Sequence, residues 1–165
     1  MCGIAGQIGY RQDMRKMSGV MTGMSASLAP RGPDASGLYS DENAFLVHRR
    51  LIVIDPDNGA QPMSEGDLTL VYNGELYNTE ELRRDLQEFG VEFRGHSDTE
   101  VVLRSYEKWG EKCVELFNGI FAFAVWDSRK KSLFLARDRI GVKPLFYSLT
   151  PDGVIFASEI KARLK

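Results

Sequence analysis

Two hydrophobic patterns follow one another at the start of the chain. Apolar and small residues alternate through Ile4, Gly6 and Ile8, which predicts a buried strand from Cys2 to Tyr10. The next apolar residues recur at helical spacing; they are Met17, Val20, Met21, Met24 and Leu28. This second pattern stops before Pro30 and predicts a helix whose methionine-rich face lies in the core.

Two strands are predicted in the middle of the chain. The segment Ala44 to Ile54 is apolar and β-branched except for the run His48-Arg49-Arg50. We therefore expect a strand that carries polar groups near its middle, which an ordinary core strand would avoid. Leu68 to Tyr72 predicts another strand, and Asn73-Gly74 directly after it predicts a turn.

Two amphipathic segments predict helices. The first runs from Glu80 to Phe89 and has Gly90 just past its end. The second runs from about Asp98 to Trp109 and closes near Gly110. It opens with Ser97-Asp98-Thr99-Glu100, the pattern of a capping box.

The last third of the chain is rich in strands. Ile120 to Asp127 and Ser132 to Asp138 flank a polar turn and predict a β-hairpin. Leu145 to Leu149 and Val154 to Ala157 predict two further strands. The segment Ile120 to Trp126 is apolar on both faces, so we expect it between two layers. Runs of strands with grouped helices favour an α+β fold with antiparallel sheets over regular βαβ winding.

Length and composition fit one globular domain over residues 1–165, with 43% hydrophobic and 27% charged residues. A net charge of −2 with scattered basic residues points to neither nucleic acid nor an anionic membrane as a partner. The longest apolar stretch is too short to span a bilayer, and the N-terminus lacks the pattern of a secretory signal. We therefore expect a cytoplasmic protein with reduced thiols.

Only one cysteine suits nucleophilic catalysis. Cys2, His48, His96 and Cys113 are too widely spaced for a zinc site, so we expect no metal. Cys113 lies in a helical stretch and fits a half-buried apolar residue. Removal of Met1 would give Cys2 a free α-amine, which titrates near neutrality and can act as the base for its own thiol.

Three further positions could complete a site for an amide substrate. Asn73-Gly74 offers a side-chain N–H and an unencumbered backbone N–H for an oxyanion, although the pair taken alone favours an ordinary turn. Arg50 lies in an apolar strand and could hold a carboxylate. Asp98 could hold an ammonium group, or it could simply supply favourable charge at a helix N-terminus.

These residues belong to ordered motifs that cover nearly the whole chain. The motifs are Cys2-Gly3-Ile4-Ala5-Gly6, Arg31-Gly32-Pro33-Asp34, His48-Arg49-Arg50-Leu51, Gly59-Ala60-Gln61-Pro62, Tyr72-Asn73-Gly74-Glu75-Leu76-Tyr77-Asn78, Ser97-Asp98-Thr99-Glu100, Asn118-Gly119, Arg137-Asp138-Arg139-Ile140-Gly141, Lys143-Pro144-Leu145 and Ala157-Ser158-Glu159-Ile160-Lys161. With them the chain resembles the N-terminal-nucleophile (class II) glutamine amidotransferases, and most closely the glutaminase domains of glutamine-hydrolysing asparagine synthetases.

The resemblance implies a role for each candidate residue. Cys2 is the expected nucleophile, with Asn73 and Gly74 as the oxyanion hole. Arg50 is expected to hold the α-carboxylate of glutamine and Asp98 its α-ammonium. The remaining pocket residues implied by the family are Leu51, Ile52, Val53, Ile54 and Glu75. The implied fold is a four-layer αββα sandwich, with two antiparallel sheets between helical layers.

The resemblance also bears on partners and cofactors. In the family a larger synthetase domain follows the glutaminase domain, and its pyrophosphate-binding loop is absent from this chain. We therefore expect ATP and Mg to act only in that domain, with no cofactor in the present one. Two alternatives to ammonia supply for asparagine synthesis stay open: amidation of a sugar or secondary metabolite, and an inactive binding domain of the same fold. The sequence leaves homodimer formation undecided.

Overall fold

A computed structural model of the chain describes residues 1–52 and 59–163. In chain order its helices and strands are β1 (Gly3–Gly9), α1 (Ser18–Leu28), β2 (Ala35–Ser40), β3 (Ala44–Arg50), β4 (Met63–Glu65), β5 (Leu68–Leu76), α2 (Thr79–Glu88), α3 (Asp98–Trp109), α4 (Cys113–Leu116), β6 (Gly119–Asp127), β7 (Ser132–Arg137), β8 (Phe146–Thr150), β9 (Gly153–Ala157) and α5 (Ile160–Arg163). Short 3-10 helices lie at Met14–Lys16 and Gly110–Lys112.

The strands form two antiparallel sheets. One has the order β2-β3-β1-β9-β8 and the other the order β4-β5-β6-β7. The N-terminal strand β1 is central in its sheet, since it pairs with β3 on one side and β9 on the other. Residue 2 therefore directly precedes a strand that is held on both edges.

Three hydrophobic clusters separate four layers. Helix α1 packs on the outer face of the first sheet through Met24 and Leu28, which contact Phe45 and other core residues there. Ile4, Val71 and further residues fill the space between the sheets. Helices α2 and α3 cover the outer face of the second sheet. The αββα sandwich implied by the resemblance is confirmed.

Most predicted elements are present. The methionine-rich face of α1 lies in the core, and β6, apolar on both faces, is central in its sheet. Ser97 precedes α3, and its Oγ accepts a hydrogen bond from the Glu100 N–H at 3.4 Å. The Glu100 carboxylate binds the N–H groups of Arg94 and Gly95, at 2.9 and 3.0 Å. Glu100 therefore fixes the loop that leads into α3.

The turn predicted at Asn73-Gly74 is wrong. Strand β5 continues through both residues to Leu76, with Asn73 opposite Ala122 and Gly74 opposite Phe121. The neighbouring β6 is buried and pairs with β5 along its whole length, so long-range pairing overrides the local turn preference of Asn-Gly.

Two short edge strands are not predicted by the hydrophobic pattern. β2 and β4 are largely polar or half-exposed, and within the described ranges each pairs along one edge. Gly37 in β2 lies against the backbone carbonyl of Gln61, where a Cβ atom would collide. This contact holds the Gln61 segment beside the first sheet.

The predicted strand Ala44 to Ile54 corresponds to β3, which ends at Arg50. Val53 and Ile54 lie outside the described residues. Among residues 1–52 and 59–163, no helix is long and apolar enough to cross a membrane.

Candidate active site

A cavity of about 190 Å³ opens where the ends of both sheets meet the start of α3. It is lined by Met1, Cys2, Arg50, Leu51, Gly59, Gln61, Tyr72, Asn73, Gly74, Glu75, Ser97, Asp98, Thr99 and Lys143. The five residues for which the sequence suggested chemistry therefore share one cavity, although they come from the N-terminus, β3, β5 and α3.

Contacts on both sides of Cys2 fix its position. Its Sγ lies 3.4 Å from the backbone N of Leu51 and 3.7 Å from the Leu51 carbonyl oxygen. The guanidinium of Arg31 donates to the Cys2 carbonyl oxygen at 2.9 Å and pairs with Glu159 at 3.3 Å. Met1 is 56% exposed and lines the cavity beside the thiol. The Met1 carbonyl is joined to the Cys2 nitrogen in a peptide bond, so that nitrogen is not a free amine while Met1 is present.

Among residues 1–52 and 59–163, no strand pairs with the cavity-facing edge of β5 beyond Leu70. Strand β4 pairs with β5 only over Leu68–Leu70. On the other side, the Phe121 N–H donates to the Asp138 carboxylate at 3.2 Å and its carbonyl accepts from the Asp138 N–H at 2.8 Å. Phe121 thus directs both backbone groups away from β5. In an antiparallel pair this turns the backbone groups of the opposing Gly74 towards the open edge.

Alternate N–H groups of β5 point along this open edge. The Tyr72 N–H donates to Gln61 Oε1 at 2.6 Å, and the Leu76 N–H donates to Asp98 Oδ2 at 3.4 Å. The Gly74 N–H lies between these two and has the same direction. The open edge therefore directs the Gly74 backbone N–H towards the cavity.

The side chain of Asn73 supplies a second donor. Asn73 is only 2% exposed, and its Nδ2 has no hydrogen-bond partner among residues 1–52 and 59–163. A buried amide N–H without a partner costs free energy, which a bound acceptor would recover. Asn73 and Gly74 together suit a developing oxyanion.

Charged groups of opposite sign complete the cavity. Arg50 ends β3 and is 8% exposed, so its guanidinium is largely withdrawn from solvent. The Asp98 carboxylate accepts the Tyr72 hydroxyl at 2.7 Å. Burial raises the pKa of Asp98, while hydrogen bonds from Tyr72 and Leu76 act in the opposite direction. Glu75 and Lys143 also line the cavity, so groups of both charges surround the thiol, which suits an α-amino acid.

The other predicted pocket residues fall into three groups. Leu51 and Glu75 line the cavity. Ile52 does not line the cavity, and its N–H donates to Asp34 Oδ2 at 2.8 Å. Val53 and Ile54 lie outside the described residues.

Several lining residues were not identified from the sequence. Gln61 lies in a recognised motif but had no assigned role, and Tyr72 was interpreted only as part of a strand. In the structure Gln61 also donates to Thr99 Oγ1 at 3.2 Å. Lys143 comes from the distant segment between β7 and β8. The side-chain types alone gave no signal that would separate these residues from surface or core positions.

The chain is similar to known proteins along nearly its whole length. The profile of the glutamine amidotransferase domain matches residues 1–165. The chain is 48% identical to asparagine synthetase [glutamine-hydrolyzing] 3 of Bacillus subtilis (strain 168), covering 99% of this chain and 27% of that protein. It is 43% identical to asparagine synthetase [glutamine-hydrolyzing] of Zea mays, covering 98% of this chain and 28% of that protein. The chain thus spans less than a third of either relative.

Solved structures share the fold. A glutamine phosphoribosylpyrophosphate amidotransferase from Bacillus subtilis, complexed with ADP and GMP, superposes with a TM-score of 0.77 at 21% identity. A structure described as the allosteric regulatory enzyme of purine biosynthesis superposes with a TM-score of 0.81 at 21% identity. Each superposition covers 98% of this chain and 42% of the solved protein chain.

Proposed function

The chain belongs to the class II glutamine amidotransferase family, and from this membership we propose that it hydrolyses glutamine to glutamate and ammonia once Met1 has been removed. The observation that carries this proposal is the shared cavity. It holds the Cys2 thiol, the opposite charges of Arg50 and Asp98, and Asn73 Nδ2, which has no hydrogen-bond partner in the described part of the chain. No other described cavity combines a thiol with such a set of groups.

Substrate binding uses the two charges. Arg50 binds the α-carboxylate of glutamine, and its planar guanidinium favours a bidentate contact. Asp98 binds the α-ammonium in its ionised form. With both ends of the amino acid held, the side-chain amide extends towards Cys2. The location of Arg50, Asp98 and Cys2 in one small cavity supports this arrangement.

The first half of the reaction releases ammonia. The free α-amine of Cys2 takes the thiol proton, and Sγ forms a bond to the amide carbon of the substrate. The carbonyl oxygen gains negative charge and is stabilised by the Asn73 Nδ2–H and the Gly74 N–H. The protonated amine then gives its proton to the leaving nitrogen as the C–N bond breaks. A γ-glutamyl thioester and ammonia result.

The second half restores the enzyme. The same amine takes a proton from water, and the resulting oxygen nucleophile attacks the thioester carbon. The same two donors stabilise the second oxyanion. Breaking of the C–S bond releases glutamate, and the thiolate recovers its proton from the amine. These reaction steps need no cofactor in the present domain.

The test is glutamate release by protein whose mass shows that Met1 is absent. We expect turnover with glutamine, none in Cys2→Ala, and an unchanged circular dichroism spectrum in that variant. Glutamate release that persists in Cys2→Ala would rule out the thiol as nucleophile. Glutamine binding without turnover in Met1-free protein would favour the inactive binding domain.

For the ammonia we propose asparagine synthesis as the use, because the chain matches proteins named as glutamine-hydrolysing asparagine synthetases. The partner would be a synthetase domain, in which ATP and Mg would act. The chain's small share of its relatives' length supports such a partner. Transfer of the ammonia to another acceptor is the alternative; product analysis with the chain joined to its synthetase domain distinguishes the two.

A further inference from the structure

Building on the proposed glutaminase activity, we infer that Tyr72 is a positioning residue for the substrate ammonium. Its hydroxyl holds the Asp98 carboxylate in the orientation that binds the α-ammonium of glutamine. Tyr72 would thereby contribute to recognition of an α-amino acid without touching the reacting amide.

The first support is the contact itself. The Tyr72 hydroxyl donates to Asp98 Oδ2 at 2.7 Å, a short distance that is typical of a hydrogen bond to a carboxylate. The Leu76 N–H donates to the same oxygen at 3.4 Å. A carboxylate offers about four acceptor sites, so these two donors orient the group and leave capacity for an ammonium ligand.

The second support is that Tyr72 is a rigid donor. Tyr72 is 2% exposed, and its backbone N–H donates to Gln61 Oε1 at 2.6 Å. The Gln61 amide in turn donates to Thr99, the residue after Asp98, at 3.2 Å. Tyr72 and the start of α3 are therefore connected twice, through the Asp98 carboxylate and through Gln61.

The third support is the space made by Gly74. A Cβ atom on Gly74 would lie 2.7 Å from Cε2 of the Tyr72 ring. The ring thus lies directly over the glycine that supplies the backbone oxyanion donor. One glycine without a side chain accommodates both the oxyanion and the tyrosine that orients Asp98.

A purely structural role makes a different prediction. The Tyr72 ring also packs in the core under α2 and α3, and loss of that packing would impair every substrate equally. Phenylalanine keeps the ring and removes only the hydroxyl. A role through Asp98 therefore shows only with substrates that carry an α-ammonium group.

The experiment compares Tyr72→Phe with the wild type on glutamine and on glutaramate, the analogue that lacks the α-amino group. In Met1-free protein we expect the KM for glutamine to rise on the order of tenfold, with kcat changed less than about twofold. The KM for glutaramate is expected to stay at the wild-type value. Tyr72→Phe should add no further penalty in an Asp98→Asn background.

Tyr39→Phe is the matched control, because the Tyr39 hydroxyl donates to Asp41 Oδ2 at 2.9 Å outside the cavity. Only Tyr72→Phe should change glutamine kinetics. Equal penalties on both substrates, an unchanged KM for glutamine, or an additive penalty with Asp98→Asn would each overturn the inference.

Failure of the glutaminase proposal is separable from failure of this inference. If Met1-free wild-type protein hydrolyses neither amide, the proposed activity is wrong. Glutamine titration into Cys2→Ala, with and without Tyr72→Phe, still measures the binding contribution without turnover. Weaker binding on loss of the hydroxyl supports the positioning role, and equal binding contradicts it.

Discussion

Asn73 combines deep burial with a donor that lacks a partner among the described residues. We expect Asn73→Ala to lower kcat by about 10²–10³-fold, because one oxyanion donor is lost, with little change in glutamine binding. Steady-state kinetics on Met1-free protein measure this. Asn43→Ala is the matched control, since it removes an amide that donates to Gly9 O at 3.4 Å away from the cavity. Wild-type turnover in Asn73→Ala would remove Asn73 from the mechanism.

Glutamine affinity should depend on pH through the single residue Asp98. Burial raises its pKa above the ordinary value of 3.8, and the charge of Glu75 acts in the same direction. The ionised form binds the ammonium, so glutamine affinity should fall as pH decreases through this raised pKa. Titration of glutamine into Cys2→Ala between pH 7 and 4 avoids any contribution from the thiol.

The corresponding control is Asp98→Asn in the same Cys2→Ala background. It should bind glutamine weakly throughout, without the additional loss at low pH. If the Asp98→Asn variant kept a wild-type-like pH profile, the titration would belong to another group.

At the scale of elements, the pairing of β5 with β6 depends on close approach at Gly74. A Cβ atom there would lie 2.6 Å from the Ile120 carbonyl oxygen and 2.8 Å from Cβ of Phe121. We expect Gly74→Ala to lower the free energy of unfolding by about 1–3 kcal/mol, since the strand must shift. The shift also moves the backbone donor, so turnover should decrease. Urea denaturation and steady-state kinetics measure the two effects.

Gly19 provides the matched substitution within an element. It lies in α1, and a Cβ atom there would meet none of the described residues outside its own helix turn within 4 Å. Gly19→Ala should be neutral or stabilising by up to about 1 kcal/mol, because alanine loses less entropy in a helix. Equal destabilisation by both alanine substitutions would contradict the steric account of Gly74.

At the scale of the whole molecule, His48 links the two sheets. It lies on β3 of the first sheet, is 1% exposed, and its Nε2 is 3.2 Å from the Tyr72 carbonyl oxygen of β5 in the second. Burial lowers the pKa of His48 to about 4; the hydrogen bond to Tyr72 opposes this and the charge of Arg50 adds to it. The histidine is therefore neutral in the folded protein near neutral pH.

This lowered pKa makes stability depend on pH. Between the ordinary value of 6.5 and about 4 the unfolded chain binds a proton that folded His48 does not, so stability falls as pH decreases through this window. The loss attributable to His48 should be on the order of 3 kcal/mol by pH 4. The free energy of unfolding at pH 7 and pH 4 should therefore differ less in His48→Asn than in the wild type.

The matched control is His96→Asn, which removes a histidine at an exposed position. Carboxylates titrate in the same range in all three proteins, so only the difference between variants is informative. A pH 7 to pH 4 difference in His48→Asn equal to that of the wild type would assign the acid sensitivity elsewhere.

The hydrophobic pattern by itself determined an α+β chain with antiparallel strands, one of them buried on both faces, whereas the four-layer arrangement was implied by the family resemblance. Hydrophobic periodicity located the long helices α1, α2 and α3 and the buried strands, because burial of one face or of both faces is recorded locally. Arg50 was recognisable as a cation in an apolar strand. Cys2 was recognisable as a residue that would carry both a thiol and a free α-amine after removal of Met1. These features require no knowledge of the partner segments.

Only the tertiary structure decided which strand edge remains open and what faces it. The sequence indicated a turn at Asn73-Gly74, whereas pairing with β6 extends β5. The short β4 pairs with the other edge of β5 only as far as Leu70, and no further strand of the described residues follows it there. The bond between Tyr72 and Asp98 likewise joins β5 to the start of α3. Strand pairing and such contacts depend on residues far apart in the chain, and local pattern carries no record of them.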